Sequence, residues 1–252
     1  MTGIRRIFVC AALLLVVPAL AWSAQDETER IHKVVSIGPN GTLKLKSFSG
    51  EVRITGTDGN DVVVDAVRRA PKERLDRIKL DIQSSGSTVT IEANRKESSW
   101  WDWGRDNVVE TTFDIQVPRK TSLDVSVFSS GVRIKDVSAS ERLHGFSSSI
   151  QLEEVTGPIT AKTFSGDIHI GLASGDDRPD LNIDTFSGDI EVRVPPSAKA
   201  DVNFHSFSGD LTSDLPLTLR SKSRHNLSAQ LNAGGGSEVR FKTFSGDVRI
   251  RR

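Results

Sequence analysis

An all-β fold, a single β-helix-like solenoid with short strands and Phe-Ser-Gly-Asp corners, is what this sequence predicts. One phrase recurs along most of the chain, the residues around it alternate apolar and polar, and the inward parity flips across it. The phrase reads SFSGEVRI at 47–54, VFSSGVRI at 127–134, GFSSSIQL at 145–152, TFSGDIHI at 163–170, TFSGDIEV at 185–192, SFSGDLTS at 206–213 and TFSGDVRI at 243–250. Seven of the 11 phenylalanines occupy one position in it, so chance does not explain the recurrence. They are Phe48, Phe128, Phe146, Phe164, Phe186, Phe207 and Phe244.

The alternation identifies the flanks as half-buried strands. Ile159, Ala161 and Thr163 share one face before Phe164, and Ile168 and Ile170 share one after it. The residue before Phe and the one four after it both point inward, which a flat continuous strand cannot do. The Ser-Gly step must therefore turn the chain. Gly50, Gly166, Gly188, Gly209 and Gly246 can take a positive φ there, which a side chain disfavours. Asp167, Asp189, Asp210 and Asp247, with Glu51 in the first copy, can each hydrogen-bond a backbone group of the turn. Copies without the glycine, such as GFSSSI, are expected to turn differently.

A meander of hairpins and a solenoid with two strands and two corners per rung both satisfy this parity. Near-identical residues at equivalent positions favour the solenoid, because stacking would set Phe over Phe, Ser over Ser and Asp over Asp. From Phe128 to Phe207 the steps are 18, 18, 22 and 21 residues. Each step accommodates two strands of about six residues and two corners. The second corners fall in VSASER, EEVTG, LASGDDRPD and PPSAKA. The longest insertion, holding SKSRHN and AGGGS, separates Phe207 from Phe244.

The chain divides into a signal peptide at 1–23 and one domain at 24–252. Residues 24–120 form an irregular first half or cap, and 121–252 the regular repeats. In the first half, VVVDAV (62–67), IKLDIQ (78–83), TVTIEA (88–93) and TTFDIQVP (111–118) read as strands, SSGS as a hairpin turn and APKER as a connector. At the N-terminus Arg5 and Arg6 precede the apolar run 7–21, which is shorter than the ~20 residues of a membrane span and ends in small residues. The expectation is export to the periplasm, the cell surface or the medium, with no transmembrane span after cleavage. The only cysteine, Cys10, lies in that signal, so the exported chain would have no disulfide and no thiol nucleophile. Without Arg5 and Arg6, 31 basic residues face 33 acidic ones, and no basic stripe suggests a nucleic-acid partner.

These phrases in series, with the signal and a last copy at the C-terminus, resemble the putative-adhesin domain family of bacteria, whose function is unknown. The resemblance covers about 26–252. It implies an exported β-solenoid and, by its name, surface adhesion. Phe stands here where many relatives have a β-branched residue, which suggests better-packed corners.

Chemistry is sparse by comparison. The repeated acids lack the nine-residue calcium pattern, so turn capping is the expected role, each Asp serving its own turn. The histidines show no metal spacing. His144 and His205, both two before a Phe, are expected on an outward polar face. Asp176 and Asp177 are read as a solvated loop, against a role in a glycan-cleaving groove. No catalytic, metal or cofactor residues are assigned, and none of these groups is expected to make an enzyme. ESSWWDWGRD (97–106) alone breaks the pattern. Trp100, Trp101 and Trp103 would anchor a cell-surface glycan or a protein partner, or else cap the solenoid end. The expectation is an exported, non-enzymatic binding or scaffold protein. The alternatives are a carbohydrate-active enzyme on a β-helix and a self-assembling, bactofilin-like solenoid.

Overall fold

A computed structural model describes residues 26–96 and 108–252. The expected signal peptide and the tryptophan segment lie outside them. The chain opens with β1 (Asp26–Ser36) and β2 (Thr42–Thr57), which runs through the first corner. β3 (Asp61–Pro71), helix α1 (Lys72–Arg77), the antiparallel pair β4 (Ile78–Ser85) and β5 (Thr88–Lys96), and β6 (Glu110–Pro118) follow. β7 (Ser122–Lys135) also runs through its corner. Thereafter corners separate paired strands: β8 (Glu141–Ser147) and β9 (Ile150–Val155), β10 (Ile159–Ser165) and β11 (Ile168–Leu172), β12 (Leu181–Ser187) and β13 (Ile190–Arg193), β14 (Ala200–Ser208) and β15 (Leu211–Ser213). A hairpin, β16 (Leu217–Lys222) and β17 (Asn226–Leu231), precedes the last copy, β18 (Glu238–Ser245) and β19 (Val248–Arg251).

The solenoid reading holds. Strands before the corner stack into a leading sheet in the order β4, β5, β2, β7, β8, β10, β12, β18, β14, β17, β16. Strands after it form a trailing sheet in the order β1, β3, β6, β2, β7, β9, β11, β13, β19, β15. Between copies of the phrase every pairing is parallel and residue-matched, for example Ile159 with Leu181 and Ile168 with Ile190. The inward residues of both sheets merge into one core that runs the length of the stack. Each fully buried Val, Leu or Ile contributes about 1.5–3 kcal/mol. The parity flip is as expected: Ile159, Ala161, Thr163, Ile168 and Ile170 are all buried. The corner between them can be an interruption or, in β2 and β7, a sharp bend within one strand.

Rung order departs from chain order at both ends. β6 enters between β2 and β3. β18 and β19 enter between the rungs β12–β13 and β14–β15. The chain therefore skips one slot after β13 and lays down β14–β15. It then covers the outer edge of β14 with the hairpin and returns to fill the slot. The long insertion before Phe244 is the segment that makes this return. The connector expected at APKER is in part α1, whose Leu75 packs with Ala70, Ile78 and Val109. Charged side chains on β1 and β16 mark two of the outer strands, which discourages further pairing.

Candidate binding surface

The glycine at the corner is required by two separate constraints. At Gly166 φ is +132°, and an added Cβ would lie 2.3 Å from the Ser148 carbonyl oxygen of the neighbouring rung. Gly188 repeats the arrangement, with φ +152° and 2.3 Å to the Gly166 oxygen. The rungs stack so closely here that no side chain fits between them. In the copies without this glycine, Ser130 and Ser148 avoid positive φ. There the Ser148 hydroxyl donates to the Phe128 carbonyl and accepts from the Ser130 N–H, each at 3.3 Å.

The corner aspartates do cap backbone, but not each its own turn as expected. Asp167 accepts the N–H of Asp189 at 2.9 Å, Asp189 that of Asp247 at 2.9 Å, and Asp247 that of Asp210 at 3.0 Å. Each of these three carboxylates thus ties one rung to the next. The Asp247 N–H, and then the Arg249 guanidinium, hold the Asp189 carboxyl below the usual carboxylate range.

The phenylalanines do not pack into the core. They stand on the outside, 40–62% exposed, in one stacked column. Phe48, Phe128, Phe146, Phe164, Phe186, Phe244 and Phe207 follow in that order, with ring centroids 4.7–5.1 Å apart and planes within 12°. That spacing is the strand spacing, so the rings stack because the rungs do. Six steps give a ridge on the order of 30 Å long. His225 extends it, stacked on Phe207 at 5.3 Å and held by a hydrogen bond from Nδ1 to the Ser206 carbonyl. No copy of the phrase contains His225. It arrives from the hairpin turn, and only the SKSRHN insertion hinted at a feature there.

A groove of about 510 Å³ runs beside the ridge on its leading-sheet side. Its floor is Thr163, Thr185 and Thr243, and its far wall includes His144, Lys162, Asp184, Lys242 and His205. All five wall side chains lie two residues before a Phe, the outward polar positions expected. His144 and His205 are four rungs apart, so they form no pair. On the trailing side the ridge is bordered by Asp167, Asp189, Asp247 and Asp210, with Glu51 at the first rung. The ridge is thus flanked by a mainly basic wall and an acidic one.

The remaining candidates lie elsewhere. Asp177 accepts from Ser197 Oγ and, through its carbonyl, from the Lys199 N–H, joining two second corners. Burial raises the Asp176 pKa. The pair staples that edge of the solenoid, opposite the ridge. Trp100, Trp101 and Trp103 lie outside the described residues. Glu141 carried no signal in the sequence. It occupies an inward position between Leu123 and Ile159, and no side-chain partner reaches either carboxylate oxygen. It is 1% exposed, and burial pushes its pKa up to about 8. Among the described residues no group of His, Cys, Asp and Glu could hold a metal ion, and no helix is long and apolar enough to cross a membrane.

An all-β stack of parallel rungs closed by glycine corners defines a β-solenoid-like repeat domain. Residues 129–251 match the family Toastrack DUF4097. The repeat half of the chain is thus similar to that family. No curated protein matches it. The solved structure of a putative cell adhesion protein from Clostridium sporogenes ATCC 15579 is similar over 88% of this chain and 99% of its own, with a TM-score of 0.51 at 14% identity. That likeness shows a shared fold. A putative adhesin from Bacteroides fragilis NCTC 9343 aligns over 88% of this chain and 97% of its own, with a TM-score of 0.41 at 10% identity.

Proposed function

We propose that this protein is an exported, non-enzymatic binding or scaffold protein of the cell envelope, and that the phenylalanine ridge is its contact surface. The observation that carries this reading is the ridge itself. Seven apolar rings stand in line in contact with water, each about half exposed. Water-facing apolar patches of this kind mark interaction surfaces. The rigid ladder beneath them fixes their spacing, so little order has to be gained on contact. Arg5, Arg6 and the apolar run 7–21 support export. The Clostridium sporogenes protein's description supports a role in adhesion.

The test is binding of the purified protein to cell-envelope preparations and a glycan array. Phe164→Thr/Phe186→Thr/Phe244→Thr should lose most binding while keeping the β circular-dichroism signal and the Tm. Full binding by that variant would refute the role of the ridge. Trp100→Ala/Trp101→Ala/Trp103→Ala belongs in the same assay. A selective loss of glycan binding there would establish the tryptophans as an anchor, and loss of the fold would make them a cap.

A further inference from the structure

We infer that the ridge docks against the ridge of a second copy of this chain, in parallel, about a two-fold axis that runs along the ladder. The inference rests on the reading of the ridge as the contact surface and names its partner.

Shape and charge select this arrangement over others. The groove lies on the leading-sheet side of the ridge. A two-fold axis along the ladder brings the leading flank of each copy to the trailing flank of the other. Each ridge can then lie in the other's groove, and both are covered at once. An axis across the ladder would face leading flank with leading flank, and the two ridges could not both find a groove.

Such an axis also sets each rung against itself. Lys46 of one copy then faces Glu51 of the second, Lys162 faces Asp167, Lys242 faces Asp247, and His205 faces Asp210. Three of these four pairings join a lysine to an acid. The rung of Asp184 and Asp189 opposes this, placing two acids together, although Arg249 already binds Asp189. Arg249 also reaches Asp247, and Arg53 and Arg133 reach Glu51, so Asp167 is the acid opposite a lysine that has no ion pair of its own among the described residues. The antiparallel alternative, centred on the Phe164 rung, would set Lys162 against Lys162 and Asp167 against Asp167. None of Lys46, Lys162 and Lys242 is in a salt bridge among the described residues, so these cations are open to an outside partner.

The extent of the surface fits as well. A phenylalanine can bury 150–250 Å², so seven half-exposed rings offer on the order of 600 Å². With the flanking walls this approaches the ~800 Å² per partner of a stable interface. An isologous contact of this kind closes on itself and yields a dimer, where a head-to-tail contact of the solenoid ends would yield a filament.

The experiment is sedimentation equilibrium of the purified protein, with three sets of variants and the Tm of each as a control. The wild type should dimerise, and Phe164→Thr/Phe186→Thr/Phe244→Thr should weaken dimerisation at least tenfold. Lys162→Glu/Lys242→Glu and Asp167→Lys/Asp247→Lys should each be monomeric alone and form a heterodimer when mixed, since mixing restores opposite charges across the axis. In a Cys10→Ser background, Phe146→Cys and Phe244→Cys should each crosslink to themselves with a short bis-maleimide. Self-crosslinking at Phe164→Cys alone, the middle rung, would show an antiparallel contact and overturn the inference. A dimer that the phenylalanine substitutions leave intact would also overturn it. A wild type that stays monomeric while the same phenylalanine variant still loses envelope binding would overturn the inference and leave the contact-surface reading standing.

Discussion

Replacing Glu141 with methionine should stabilise this protein at neutral pH and flatten the dependence of its stability on pH. In the leading sheet one inward position reads Leu43, Leu123, Glu141, Ile159, Leu181, Val239, Val202 along the stack. A single acid interrupts a column of aliphatic residues, and its oxygens find no side-chain or backbone partner. Burial pushes its pKa from 4.5 up to about 8. The folded state therefore holds a proton that the unfolded state releases. Because the folded pKa is the higher one, stability is greatest below about pH 4.5 and falls until the pH passes the folded value near 8. One pH unit corresponds to 1.36 kcal/mol, so at pH 7 the burden is about 3 kcal/mol. Glu141→Met removes the ionisable group and keeps an unbranched chain of similar volume. Urea unfolding at pH 5, 6, 7 and 8 measures both effects. The wild type should lose roughly 1 kcal/mol per unit across this range relative to the variant, and the variant should gain about 3 kcal/mol at pH 7. Parallel pH profiles for the two proteins would refute the argument, because they would mean that Glu141 is ionised in the fold and satisfied by a group not among its described neighbours.

Two further perturbations address the corners. Gly166→Val should lower stability by several kcal/mol, since its Cβ would meet the Ser148 carbonyl at 2.3 Å, whereas Asp167→Asn keeps an acceptor for the Asp189 N–H and should cost less than about 1 kcal/mol. Thermal melts decide between them, and a larger loss for the asparagine variant would revive a metal site. Calcium and chelators should leave the Tm unchanged, because the acids that would form a calcium ladder already accept backbone N–H groups; a rise of several degrees with calcium would show a cation bound to the native state.

The corner was readable because its causes are local. A turn flanked by alternating residues shows its parity within nine positions, and a residue that must be glycine appears as glycine in five of the seven copies. Stacking of like on like was also readable, since only a ladder tolerates the same phenylalanine at every rung. That these rings face water was not. The parity marks the residue before Phe as inward but leaves the direction of the corner residue itself open. The change from a β-branched residue to Phe suggested better-packed corners, and the rings instead stack on one another along the outside, with His225 at one end.

What the sequence determined by itself was the rung: strand, glycine corner, strand, with its inward and outward faces. The order of the rungs, by contrast, comes from packing alone. Near-identical copies carry near-identical edges, so no local pattern says which copy stacks on which. The skipped slot filled by β18 and β19 depends on a hairpin covering β14, and His225 reaches the end of the ridge only because that hairpin folds there. The aspartate caps cross from rung to rung for the same reason, since the amide each one serves is brought near by stacking and not by the chain. Glu141 differs from its column neighbours only in chemistry, and that it lies sealed between Leu123 and Ile159 follows from the stacking of three rungs, which no short stretch of sequence records.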